Sequence, residues 1–340
     1  MNLFQPTRVF FEADALDYPL GRQIHDYFSR MGLPIKFTGS HNRVTGIPGK
    51  TPRQSYLEGK RTLVVGVKRD LKFDTCKPSA DFQFTLGTSC PGQCQYCYLQ
   101  THLGKKPYIR VYVNLEEILA RIKTTMTANL PAITTFEAAS TSDPLAVEHI
   151  TGSLAQTITF FGALTHARLR VVTKFANVAP LLKLDHQHNT KFRFSLNTAA
   201  VIRNYEPRTA SFAERIAAAN QITQAGYPLG FIIAPLFIYP GYEADYAAMF
   251  EQLAATLNPR PEQLSFELIT HRFTARAKNI ILERFPGTRL DLDETKRRRK
   301  FGRYGLVKYI YAPDDYRELQ KNIFAAIERF FPKAKIEYFT

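Results

Sequence analysis

The chain has no tryptophan, four methionines and four cysteines in 340 residues, and its 30 acidic side chains are outnumbered by 45 lysines and arginines. It lacks any run near the ~18–20 apolar residues that span a bilayer, and the opening MNLFQPTRVF has no signal-peptide core. Cysteine is too scarce and too clustered for a disulfide scaffold. These absences predict an intracellular, cytoplasmic protein with no membrane association. What is present suffices for a full core, since 45% of residues are hydrophobic. The shortage of acid leaves a formal charge of +15. That excess suits a polyanion such as nucleic acid, although net charge alone also gives solubility or non-specific binding.

No internal repeat or low-complexity tract is visible. A helical stretch from Gly21 to Met31, a Gly/Pro-punctuated loop and the apolar strand 62–67 make up an N-terminal α/β region, residues 1–80. Six β-rich runs follow: 82–86, 134–138, 169–173, 192–196, 229–234 and 264–269, with helical periodicity between them. Asn114 with Glu117, and Ser211 with Glu214, read as helix N-termini, and Gly226 as a C-terminal stop. Asp143-Pro144 reads as N-cap and first position of one helix carrying Val147, Ile150, Leu154, Ile158 and Phe161 on a single face. Six βα units predict an incomplete (β/α)6 TIM-like barrel over residues 81–285, and no G-x-G-x-x-G supports a dinucleotide-binding sheet. Residues 286–340 read as a basic β-hairpin plus helix. Ligands of such barrels bind at the carboxyl ends of the strands.

The first of these strands runs into Cys90-Pro91-Gly92-Gln93-Cys94-Gln95-Tyr96-Cys97-Tyr98, a C-x3-C-x2-C loop. Thiolates so close together bind soft or borderline metals. A structural zinc site normally has four protein ligands, and His102 is the candidate that would complete one. Three thiolates on a 4Fe–4S cluster would instead leave one iron open, which suits catalysis better than electron transfer.

This loop, at the top of the first strand of six, resembles that of the radical S-adenosylmethionine superfamily. Within it, Cys94 to Gln100, Phe136 to Asp143, Gly302 to Gly305 and Ile336 to Thr340 resemble the spore photoproduct lyase family over essentially the whole chain. The resemblance implies a DNA-repair lyase, a carbon–carbon lyase that restores two thymines from 5-thyminyl-5,6-dihydrothymine in the germinating spore. It implies a 4Fe–4S cluster on Cys90, Cys94 and Cys97, with S-adenosyl-L-methionine at the open iron as source of a 5′-deoxyadenosyl radical. A cysteine then returns a hydrogen atom to the product radical, and tyrosines beside the cluster, Tyr96 and Tyr98, relay the radical back. The expected partners are lesion-bearing DNA and a reductant or electron-transfer protein, with the chain acting as a monomer. At the family's cysteine position this chain has Ser140, whose O–H bond is too strong to serve. The expectation is an impaired enzyme, through either deliberate substitution or natural variation. Cys76 reads as a structural thiol.

Strand-end position and resemblance together nominate Lys174, Ser195, Asn197 and Ala234, with Tyr96 and Tyr98, for the cofactor. For the substrate they nominate Ser142, His271, Arg303 and Tyr304. Glu137 stands where the superfamily often has a glycine-rich acidic motif. The run Lys296 to Lys300 with Arg303 and Lys308, interleaved with Phe301, Tyr304, Tyr309 and Tyr311, is the pattern of phosphate neutralisation plus base stacking. Arg303 and Tyr304 are expected to wedge into the space a flipped lesion leaves. Two other readings stand beside this one: a radical enzyme modifying RNA, and a zinc-stabilised nucleic-acid-binding protein.

Overall fold

Two carboxylates four strands apart in one sheet meet on a single guanidinium, and that fixes the shape of the molecule's centre. Arg193 pairs with Glu137 and, at 2.8 Å, with Glu267. Across a flat sheet those two carboxylates would stand roughly 19 Å apart at ~4.8 Å per strand. The sheet therefore curls into a partial barrel. The computed structural model describes residues 3–302 and 306–340. Its barrel sheet has the spatial order Lys335–Phe339, Ser265–Thr270, Leu229–Leu236, Thr190–Leu196, Ala167–Thr173, Thr134–Glu137, Ala80–Gln83 and Asp74–Cys76. All neighbours pair parallel except the last two, which form an antiparallel hairpin at the open edge.

The six expected barrel strands are all present. The first lies at Ala80–Gln83, a little before the expected span. Alternation along the strands does two jobs. Phe136, Leu169, Val171, Phe192, Phe194, Phe231, Phe266 and Leu268 face the surrounding helices in one continuous core. Glu137, Arg170, Arg193 and Glu267 face inward, and Tyr338 donates to Glu267 at 2.6 Å. The barrel is thus filled by an interlocked ion network rather than by branched aliphatics. Glu137, at the acidic-motif position, is consumed by that network.

Thr62–Gly66, buried throughout, lies at the centre of a second sheet ordered Ile35–Thr38, Arg8–Glu12, Thr62–Gly66, Ile109–Tyr112, Gly87–Thr88. The sheets do not follow the boundaries drawn from sequence. Strand Ile109–Tyr112 joins the N-terminal sheet, and Lys335–Phe339 extends the barrel. The C-terminal hairpin forms as expected, pairing Arg297–Phe301 with Val307–Tyr311, and helix Pro313–Phe330 follows it.

Two helix expectations need correction. The single helix drawn after Pro144 is broken: a three-ten turn Pro144–Val147 leads into the short helix Glu148–Thr151, and Gly152, at φ +60°, a left-handed conformation that glycine adopts without strain, separates that from Ser153–Gly162. Asp143 does not cap with its side chain. Its carboxylate accepts from Thr173 Oγ1 at 2.9 Å and from the Lys174 amide at 2.9 Å, tying two strand ends together. The Ser211/Glu214 capping box forms, and Gly226 has φ +87° at the helix end. Among the described residues, no helix is long and apolar enough to cross a membrane.

Candidate active site

The three-cysteine loop is held in place by its backbone. Gln93 N donates to Pro207 O and Gln95 N to Tyr205 O, each at 2.9 Å, so the loop is strapped to the segment after the fourth barrel strand. At its start Ser89 adopts φ +66°, and its amide donates to Thr141 O at 2.9 Å. Lys60, from helix Pro52–Lys60, reaches in to donate to Ser89 Oγ at 3.1 Å and Cys90 O at 2.8 Å. Cys94 is buried, and Cys90 and Cys97 are half-buried.

Burial pushes the Cys90 thiol up to about 12, against the pull of Lys60. It pushes Cys94 well above the ordinary thiol value, reinforced by Glu206 and opposed by Lys174. Burial thus disfavours ionised Cys90 and Cys94, and a bound metal group would supply the positive charge that offsets it. Among the described residues no three His, Cys, Asp or Glu side chains are closed around a single point, so the thiols form an open set. The side chain of His102 lies outside the described residues.

Beside the loop stands a second cluster, which joins the nominated Lys174, Ser195 and Tyr96 to two residues that the sequence did not announce. Lys174 Nζ lies 2.7 Å from Ser195 Oγ and 3.0 Å from Glu206 Oε1. Glu206 also binds the fully buried Arg215 at 2.6 Å and accepts from the Tyr96 hydroxyl. Arg215 in turn donates to Ser195 O at 2.8 Å. Glu206 and Arg215 were missed because nothing in their spacing distinguishes them from surface helix charges; only the fold buries them.

Burial works against ionisation of Glu206, but Lys174 and Arg215 outweigh it and hold its carboxyl down at about 2. A carboxylate depressed in the folded state adds stability that is complete above its ordinary 4.5 and is lost as the pH falls from there toward about 2. Glu206→Gln is therefore expected to cost several kcal/mol, on the order of 3–5 for a broken buried pair. In urea unfolding at a series of pH values the deficit should be full at neutral pH and shrink below 4.5. A deficit constant down to the acid limit would show that the carboxylate's charge is not what stabilises.

The remaining nominated residues divide. Asn197 is fully buried, its amide donating to Pro235 O at 2.7 Å and accepting from Tyr246 at 3.0 Å, while the neighbouring Ala234 is half-exposed at the strand end. Ser142 Oγ is buried and has no partner among the described residues. His271 is buried with its ring against Phe237; burial, helped by the Arg297 charge, lowers its value to about 3, and among the described residues its Nδ1 has no partner. Arg297 turns inward from the basic run, 3.8 Å over the Tyr311 ring, and donates to His271 O at 3.3 Å. It is a hinge-pin of the hairpin, whereas Arg298, Arg299 and Lys300 are exposed. Arg303 and Tyr304 lie outside the described residues.

Ser140 has an unexpected neighbour. Its Oγ is 3.3 Å from Cys76 Sγ, and its carbonyl accepts from the Tyr98 hydroxyl. Cys76 sits on the edge hairpin, whose turn is closed by Ser79 N donating to Cys76 O at 2.9 Å and is pinned by Arg193, which donates to Ser79 Oγ at 2.7 Å.

The residues present fit an iron–sulfur cluster on two observations. The donor set is three thiols in one loop with the Lys60 ammonium bound to that loop's backbone at Cys90 O, and the Tyr56 hydroxyl next to it is fully buried without an acceptor among the described residues. Leaving such a group unpaired costs roughly 1–3 kcal/mol.

A partial parallel barrel with a three-thiol loop at its carboxyl edge, and a lysine–serine pair beside it, is the arrangement of a radical S-adenosylmethionine enzyme. The family follows from comparison. A model of the family described as spore photoproduct lyase matches residues 4–340. The curated spore photoproduct lyases of Geobacillus sp. (strain Y412MC61) and Bacillus subtilis (strain 168) are 50% and 49% identical to this chain, covering 100% of it and 100% and 99% of their own lengths. One solved spore photoproduct lyase superposes with a TM-score of 0.98 at 50% identity, each chain fully covered. In that protein a cysteine at position 140 was replaced by alanine and a serine at position 76 by cysteine, and it holds AdoMet and dinucleoside spore photoproduct. This chain belongs to the spore photoproduct lyase family and is a lyase acting in DNA repair.

Proposed function

We propose that this enzyme repairs the spore photoproduct with Cys76 as its hydrogen-atom donor, so that Ser140 does not impair it. The observation that carries the reading is the 3.3 Å approach of Cys76 Sγ to Ser140 Oγ. The relative in AdoMet- and lesion-bound form carries an engineered cysteine at its own position 76. The two side-chain ends share one volume, so moving the thiol from one to the other keeps it beside the substrate.

Cys90, Cys94 and Cys97 would hold the 4Fe–4S cluster, and Lys174, Ser195, Asn197 and Ala234 would line the place of S-adenosylmethionine. Together these groups, when bound, supply a hydrogen-abstracting radical. The Lys174 ammonium pairs with a carboxylate presented to it, held in place by Ser195 and Glu206. Ser142 and His271 have unpartnered polar atoms to offer the lesion. At Cys76 the S–H bond breaks as a C–H bond forms on the product thymine, leaving a sulfur radical. Tyr98, on the Ser140 carbonyl, would return a hydrogen atom to that sulfur, and Tyr96, whose proton has Glu206 as acceptor, would refill Tyr98; the phenoxyl radical left at the end would take back the hydrogen atom first abstracted from the lesion, which closes the cycle.

The domain reading is kept in function rather than in sheet membership: 81–285 carries the thiol loop and the cofactor side, 286–340 engages DNA, and 1–80 supports them and contributes the reacting Cys76 thiol at its end. The chain works as a cytoplasmic monomer supplied by a reductant or electron-transfer protein. The deciding assay is anaerobic: reconstituted protein, S-adenosylmethionine, reductant and the dinucleoside lesion, beside RNA. Thymidine dinucleoside as product is expected, and modification of RNA alone would overturn the reading.

For the hairpin, replacing Arg298 and Arg299 by alanine should weaken all DNA binding. It should also flatten the log–log salt dependence, by roughly 0.9 in slope for each phosphate left unneutralised. Arg303→Ala and Tyr304→Ala should weaken binding of lesion-bearing duplex more than of the free dinucleoside, because only the duplex must be opened. Equal losses on both would remove the wedge.

A further inference from the structure

Helix Pro52–Lys60 ends against the three-cysteine loop, and its one buried aromatic side chain presents a polar group that the protein does not use. Tyr56 is completely buried. Its ring packs edge-on against Phe285 with centroids 5.3 Å apart. Lys60 Nζ stands 5.6 Å from its centroid and the Arg284 guanidinium 5.1 Å. Lys60, one helical turn on, donates to Cys90 O at 2.8 Å, so this face of the helix looks at the thiol loop. Arg284 donates to Gly104 O at 2.6 Å, closing the far side. Yet among the described residues the hydroxyl has no hydrogen-bond partner. Burial is the main influence holding its proton on, and the charges that add to it come from Cys97, Cys94 and Cys90.

Buried phenols nearly always find an acceptor. Among the described residues, backbone and side chains supply none to this one. We propose that the Tyr56 hydroxyl donates a hydrogen bond to a sulfur of the cluster held by Cys90, Cys94 and Cys97, and so raises its reduction potential. The inference rests on the cluster reading given under Proposed function. A hydrogen bond to sulfur stabilises the more negative, reduced cluster, and partners of this outer kind tune a metal group without ligating it. Tyr56 is thus a positioning and tuning residue, not a ligand. It makes the one-electron reduction that starts the chemistry easier for a given donor.

The test uses full-length holoprotein, anaerobically reconstituted, without S-adenosylmethionine or substrate. Tyr56→Phe keeps the ring and its packing. The expected result is unchanged iron and sulfide content, a midpoint potential shifted negative in an EPR-monitored redox titration, and loss of one exchangeable-proton coupling in the pulsed EPR spectrum of the reduced cluster. In thermal unfolding of the metal-free proteins, Tyr56→Phe should be as stable as the parent or more so, because an unpaired phenol has been removed. An unchanged potential and an unchanged proton coupling in a fully loaded variant overturn the hydrogen bond while leaving the cluster reading intact. A parent that takes up no iron–sulfur cluster overturns that reading, and this inference with it.

Discussion

Replacing Cys76 by alanine should cut the yield of clean thymidine dinucleoside by on the order of tenfold or more, equivalent to ~1.4 kcal/mol or more in the quenching step. Cofactor cleavage should persist. The argument is about bond strength and reach. A thiol S–H bond is weak enough to quench a thymine-centred radical, whereas the Ser140 O–H bond is not. Of the thiols outside the cluster loop only Cys76 exists, and its sulfur is 3.3 Å from the Ser140 oxygen. Without it, the product radical should be trapped by reductant or solvent species, giving adducts separable by chromatography and identified by mass spectrometry. Ser140→Cys alone should change little, because the thiol is already in place. Ser140→Cys added to Cys76→Ala should restore clean repair. A Cys76→Ala variant whose products match the parent's would remove this thiol from the reaction, and a sharp gain from Ser140→Cys alone would return the donor's place to position 140.

That pairing was the least legible part of the sequence, for a physical reason. Cys76 and Ser140 are 64 residues apart, and they meet because the edge hairpin is pinned through Ser79 to a guanidinium in the middle of the barrel. Residue types and spacing carry no trace of such a contact. The barrel strands were legible because parallel strands buried on one side by helices write themselves as short apolar runs. The Cys90–Cys97 loop was legible because its chemistry is local. Asp143 misled because a helix cap and a carboxylate tying two strand ends look alike in sequence; burial raises this one to about 6, against its hydrogen bonds to Lys174 N and Thr173. Glu206 and Arg215 show the same limit, since their value to the site is a property of where the chain folds them.

Cys94→Ala should abolish iron–sulfur absorbance and S-adenosylmethionine cleavage together. Cys94 is the most deeply placed of the three loop thiols, and burial raises its value well above that of an ordinary thiol. Two remaining thiols cannot anchor a cluster with three protein ligands, and the fourth cysteine cannot substitute because its sulfur is engaged at Ser140. Metal analysis after anaerobic reconstitution separates this from the zinc alternative. The parent should be brown with iron and sulfide in matched amounts, and the variant colourless with both lost, while its circular dichroism stays that of the parent because the barrel core lies elsewhere. Stability separates them a second way. A structural zinc site contributes folding energy outright, so losing one of its ligands should unfold its surroundings. A catalytic cluster at the rim of an independently packed barrel should leave the fold standing. Full iron retention by Cys94→Ala would mean that the ligand set has been misassigned, since no other arrangement of this loop supplies three thiolates.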